Sequence, residues 1–267
     1  MDLWLGFARQ GKTLPAKEPT MPAITLCIPA YAMGGDGARY LADSFDHLCH
    51  QSFSDFDIVV SDQSDDMAVA EVCQTYADRL TITHLWNREG LRQASANVNN
   101  AIAQATGDII KVLFQDDLII DPNGLAHIHD AMGQGADWCL CGSGVTRDGS
   151  SVTRPMRPRL TDRMHFGKNT VSSPSVLAMR RTSAMEFDEA LIWLMDVDLY
   201  KRLWDAYGDP VVVPDIVIAN RMHEGQVSAS VSKALRQKEL RYMGRKFART
   251  TSFRGWLEYL RQRLKAL

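Results

Sequence analysis

The strongest constraint in this chain is a repeated unit: an apolar run of strand length that closes on a polar turn and gives way to a helical pattern. Residues 24–28 stop at Pro29, Ala30 and Tyr31, residues 57–61 stop at Asp62, and residues 109–114 run into Gln115, Asp116 and Asp117. Between them, residues 38–51 set Leu41, Phe45 and Leu48 on one helical face, residues 67–77 carry Met67, Ala70 and Cys73, residues 81–86 read as another strand, and residues 91–105 as a third helix. Such units build an open α/β fold, a mostly parallel Rossmann-like sheet flanked by helices, whose ligands bind beyond the carboxyl ends of the strands. Tyr31, Asp62, Asp116 and Asp117 all fall at such ends.

Two adjacent carboxylates at the end of an apolar strand repel each other unless a cation neutralises them. Hard oxygen ligands of this kind suit Mg2+ or Mn2+, with phosphate as the natural counterpart. Taken alone, Asp116 and Asp117 also fit the start of a loop that Asp121, Pro122, Asn123 and Gly124 complete, with Asp121 capping the next helix. Arg88 and Arg92 precede the third helix, where they can meet phosphate or stay solvated.

Length and charge organise the rest. A chain of 267 residues that is 45% hydrophobic supports one substantial α/β core. Five cysteines without a Cys-x-x-Cys pair, three of them inside apparent strands, point to a reducing, cytoplasmic setting. Residues 1–8 lack the basic start and long apolar region of a signal peptide. Residues 137–146 and 151–153 read as a hairpin, 154–163 as an arginine-rich loop, 175–179 as a strand, 193–206 as a helix, and 211–219 as a strand interrupted at Pro214 and Asp215.

The net charge of −2 hides an asymmetry. Residues 232–267 hold 11 Lys or Arg against 2 Glu, net +9, which leaves 19 basic and 30 acidic residues, net −11, for the remainder. The expected division is an N-terminal extension over 1–22, a main domain over 23–230 and a basic helical tail over 231–267. Within the tail, Phe253, Trp256, Leu257, Leu260, Leu264 and Leu267 share one stripe. Two placements fit that stripe: a peripheral footing on an anionic membrane, or packing against the domain. Nucleic acid is not an expected partner, because no recognition module accompanies the charge.

Several ordered stretches resemble the GT-A glycosyltransferases of family 2. They are Thr25 through Pro29 to Tyr31, Ile58 through Asp62 to Asp66, residues 87–97 with Ala105, Thr106 and Gly107, Phe114 to Asp117, Phe187 through Asp196 to Asp198, and Arg221 through His223 to Ser228. The resemblance implies a metal-dependent, inverting transfer of a sugar from a nucleotide diphosphate sugar to a hydroxyl of a glycan or lipid-linked acceptor. It implies nucleotide binding by Pro29, Tyr31, Asp62 and Asp116, to which Arg92 is added from its own charge and position, and a Mn2+ or Mg2+ ion on Asp116 and Asp117, with His223 completing the shell. It also implies Asp196 as general base, taking the acceptor proton as the new bond forms. One departure stands out: Phe114 occupies the position of the family's first aspartate. Two other readings compete. A sugar-phosphate nucleotidyltransferase calls for a basic, glycine-rich phosphate loop, yet residues 30–37 contain no Lys or Arg. A non-catalytic nucleotide-sugar binding protein is the other, motivated by Phe114.

Overall fold

The structure, a computed structural model, describes residues 21–133, 135–223 and 231–267. The expected extension over 1–22 therefore lies almost entirely outside the described residues.

The apolar runs form the sheet. Strands β1 (Ile24–Ala30), β2 (Phe56–Asp62), β3 (Ile82–Trp86) and β4 (Ile109–Val112) are parallel and ordered β3-β2-β1-β4. Helices α1 (Gly37–Leu48), α2 (Ala68–Tyr76) and α3 (Ala94–Ile102) connect them. The α1 stripe Leu41, Phe45 and Leu48 is buried, as its spacing requires. Because the chain moves outward from β1 to β3 and then returns to the other side of β1, strand order reverses between β1 and β4. In open parallel sheets that reversal opens the crevice where ligands sit.

Beyond β4 come β5 (Leu118–Ile119), α4 (Gly124–Gly133), β6 (Trp138–Thr146), β7 (Thr153–Met156), β8 (Leu177–Arg180), α5 (Met195–Tyr207) and β9 (Val211–Arg221). They extend the sheet to β3-β2-β1-β4-β8-β6-β9-β5, with β7 paired on β6. Since β8 is antiparallel to both β4 and β6, while β6 and β9 are parallel, most strands share one direction. Helices α6 (Lys233–Lys246) and α7 (Phe253–Lys265) close the chain.

Pro29 sits in the central strand β1, where a missing N–H is normally costly. Leu113 donates its N–H to Cys27 O at 3.1 Å, so Cys27 and, two residues on, Pro29 face β4. By Pro29 that neighbour has ended, and no ladder bond is lost.

Two expectations need correction. Residues 154–163 are not wholly loop, because Arg154, Pro155 and Met156 belong to β7. That strand pairs at the edge, all four of its residues are exposed, and it leaves no apolar alternation to read. Nor does β9 break at Pro214 and Asp215. Its register on β6 jumps from Val213 to Ile216, so the two residues bulge out while the strand continues to Arg221.

The tail is also less separate than its charge suggests. Leu240 and Met243 of α6 and Phe247 at its C-terminal cap join the hydrophobic core, and Glu239, itself buried, reaches the start of α5.

Candidate active site

At the end of β4 the chain turns through Gln115, Asp116 and Asp117, and three polar side chains divide the work. The buried Gln115 carboxamide grips the loop after β1, accepting the Tyr31 N–H at 2.6 Å and donating to Tyr31 O and Gly37 O at 3.0 Å each. A Cβ on Gly37 would meet Tyr31 O at 2.0 Å, so the clasp needs glycine there. This fixes Tyr31 as an exposed ring near the acidic turn. Its hydroxyl pKa is raised by partial burial and by the Asp116 charge.

Asp116 faces outward, with Oδ2 2.9 Å from His223 Nε2. Asp117 faces inward. Its buried carboxylate accepts from the Arg221 N–H at 3.2 Å and Ser173 Oγ at 3.1 Å, and burial together with the neighbouring Asp116 charge pushes its pKa up to about 7. The buried Arg221 clamps the turn, donating through Nε to Asp116 O at 3.2 Å and pairing with Asp43 at 3.1 Å.

Among the described residues no group of three or more His, Cys, Asp or Glu side chains is arranged to hold a metal ion. The outward pair is Asp116 with His223, one hard oxygen and one imidazole nitrogen, a donor set that suits Mn2+ and leaves most of the coordination sphere to a ligand. Asp117 stands behind it. Phe114 packs against the core, so that position adds no third carboxylate. Residues 224–228 of the closing motif lie outside the described residues.

The segment after Arg163 links this turn to Asp196. Asn169 Nδ2 donates to Asp196 Oδ2 at 2.8 Å and to Ser172 O at 2.9 Å, while its Oδ1 accepts the N–H groups of Val171 and Ser172. Four residues on, Ser173 Oγ bonds Asp117. Ser172, between them, adopts φ 119, a conformation costing about 1–3 kcal/mol for a residue with a Cβ. Its hydroxyl is held by Ser143 at 2.8 Å and Asn220 at 3.0 Å.

Asp196 lies in the first turn of α5 with its Oδ1 accepting the Val197 N–H at 2.7 Å. Burial pushes its pKa up to about 7. Asp198 is different in kind: fully buried, it is paired with Arg202 at 2.8 Å and Lys246 at 2.7 Å.

Sequence reading missed Glu239. Its carboxylate accepts the N–H groups of Ile192, Trp193 and Leu194, with distances from 2.8 Å, so a residue from the tail caps the segment leading into α5. Nothing local marks it, since the partners are more than 40 positions away. Glu239→Ala leaves three backbone N–H groups, that of Leu194 buried and the others partly so, without their acceptor, and we expect a loss of about 3 kcal/mol, read in thermal denaturation as a Tm lower by roughly 6–12 °C. An unchanged Tm would show that the cap contributes nothing.

On the far side of β1, Asp62 is fully buried, its oxygens taken by the Ser64 N–H at 2.8 Å and by His84 Nε2 at 2.9 Å. Arg92 is exposed and forks onto Asp65, and Arg88 stacks on Trp86 at 3.8 Å.

Sheet order, crevice and acidic turn together define a GT-A glycosyltransferase fold. Residues 25–200, well over half of the chain, match the family model described as Glycosyl transferase family 2, and the chain belongs to that family. A curated relative, glycosyltransferase GlyG of Streptococcus pneumoniae serotype 4, is 25% identical over 99 residues, covering 36% of this chain and 31% of that protein. The matched region is thus under a third of the relative's length. The structure of S. aureus TarS 1-349 in complex with UDP-GlcNAc aligns with TM-score 0.66 at 19% identity, over 91% of this chain and 72% of that one. The mannosyltransferase PcManGT from Pyrobaculum calidifontis, in complex with GDP-Man and Mn2+, aligns with TM-score 0.61 at 18% identity, over 93% and 74%. At these identities the structural likeness speaks for the fold.

Proposed function

We propose that this glycosyltransferase moves a sugar from a nucleoside diphosphate donor to a hydroxyl of a glycan or lipid-linked acceptor in one inverting displacement. The observation that carries this reading is the bridge over residues 169–173, which ties Asp196 at one end to Asp117 at the other. It holds a carboxylate with a pKa near 7 in fixed relation to an acidic turn at the switch point of the sheet.

On the donor side, Tyr31 offers an exposed ring to the nucleotide, while the buried Pro29 and the Asp62–His84 pair fix the ends of β1 and β2 beside it. Arg92 exchanges Asp65 for a donor phosphate. Asp116 and His223 would hold Mn2+ or Mg2+, with the Asp117 carboxylate kept behind them by Ser173 and the Arg221 N–H. When bound, the ion offsets the charge that builds on the departing diphosphate. On the acceptor side, Asp196 accepts the hydroxyl proton, and Asn169 keeps the carboxylate oriented. No covalent nucleophile is needed, because the acceptor oxygen attacks directly.

A thermal-shift panel tests the reading. UDP-GlcNAc and GDP-Man are the first probes, given the relatives' complexes. A matching nucleotide sugar at about a hundredfold above its Kd should raise Tm by roughly 5 °C in the presence of Mn2+. If no nucleotide diphosphate or nucleotide sugar shifts Tm, with or without the ion, donor binding is refuted.

A further inference from the structure

The last helix is mounted inside out. The residues turned to the protein body are Gly255 and Glu258 of α7 and Ala266 at its C-terminal cap, all buried, with the Tyr259 ring 5.2 Å from Phe166. Gly255 allows the close approach, since a Cβ there would meet Asp162 O at 2.8 Å. The stripe Phe253, Leu257, Leu260, Leu264 and Leu267, at helical spacing, points away, with Phe253 78% and Leu264 70% exposed, whereas Trp256, which the spacing also sets on it, is half-buried with its ring 6.1 Å from Phe166. A helix that only needed to pack would bury this stripe.

Charge identifies the occupant. Arg254, Arg261 and Lys265 are exposed and border the stripe along one side, as their spacing on the helix requires. Both acidic residues of the tail, Glu239 and Glu258, are buried, so the outer surface of α6 and α7 is one-signed. Self-association through the stripe would set these cations against one another, whereas anionic head groups match them. No described helix is long and apolar enough to cross a membrane, so the contact lies in the interfacial plane. We infer that α7 docks the protein on an anionic bilayer surface, with the stripe in the acyl boundary and Arg254, Arg261 and Lys265 among the head groups.

Co-sedimentation of the full chain with vesicles tests this. Wild type should pellet with phosphatidylglycerol vesicles at low salt, bind phosphatidylcholine vesicles at least tenfold more weakly, and detach from phosphatidylglycerol as salt screens the attraction. The triple variant Leu257→Ser, Leu260→Ser, Leu264→Ser should lose vesicle binding by at least about a hundredfold, while keeping the wild-type Tm because these side chains are exposed. Arg254→Glu with Arg261→Glu should remove the preference for anionic lipid, a drop of roughly fivefold or more per charge changed. The inference is overturned if wild type stays in the supernatant, if the triple variant pellets as well as wild type, or if wild type is a dimer that the triple variant dissolves without any vesicle binding.

Discussion

Asp196→Asn should lower turnover at least about a hundredfold while leaving donor affinity near wild type, because a positioned general base contributes about 10²–10⁴ to rate. Steady-state kinetics with calorimetric donor titration separates the two quantities. The pKa adds a direction for pH. With the Asp196 pKa near 7, the carboxyl is protonated below that value and cannot take the acceptor proton, so wild-type turnover should rise as pH increases through about 7. The same shift predicts stability. A carboxyl whose folded pKa lies above its ordinary value of about 3.9 holds its proton more tightly in the native state, so it destabilises the fold increasingly from pH ~4 to ~7 and by a constant amount above. At pH 8 Asp196→Asn should therefore raise Tm even as it removes activity. Asp198→Asn should do the opposite, lowering Tm by breaking the buried contacts with Arg202 and Lys246 and costing turnover less. Reversed signs would transfer the role of base to Asp198.

The contrast between these two aspartates shows where sequence stops informing. Apolar runs of strand length and the Leu41, Phe45, Leu48 stripe are local signals, and β1 to β4 with their helices follow from them to within a few residues. The carboxyl-end turns are equally local, which is why Asp62, Asp116 and Asp117 could be singled out together. Side-chain direction is not local. Asp116 and Asp117 look equivalent as neighbours, but Ser173 and the Arg221 N–H, 56 and 104 positions away, draw Asp117 inward and leave Asp116 with His223. The Gln115 clasp on Tyr31 and the Glu239 cap on α5 are long-range in the same sense. Edge strand β7 was hidden for another reason: pairing on one side with no buried face leaves no hydrophobic pattern. For α7 the periodicity revealed the stripe but not the side on which the body lies, since that depends on Gly255 and Tyr259 docking against residues 162–166.

The outward pair makes the last expectation specific. Asp116→Asn should abolish the Mn2+-dependent part of nucleoside diphosphate affinity, weakening binding by at least about tenfold to a hundredfold, because it removes the hard anionic oxygen of a two-residue donor set. His223→Ala should act in the same direction and less strongly, since an imidazole contributes no charge. Asp117→Asn keeps the outward pair and loses an interior acceptor, so its effect on affinity should be the smallest of the three. Titration calorimetry with and without Mn2+ gives all three values. The strand before the turn, not the carboxylates, supplies the buried apolar surface at Ile109, Ile110 and Val112, so the variants should remain folded and the comparison interpretable. If Asp116→Asn binds nucleoside diphosphate with undiminished Mn2+ dependence, the ion sits elsewhere. If instead Asp117→Asn produces the largest loss, the inward carboxylate turns out when donor arrives, and the acidic turn rather than the Asp116–His223 pair is the metal seat.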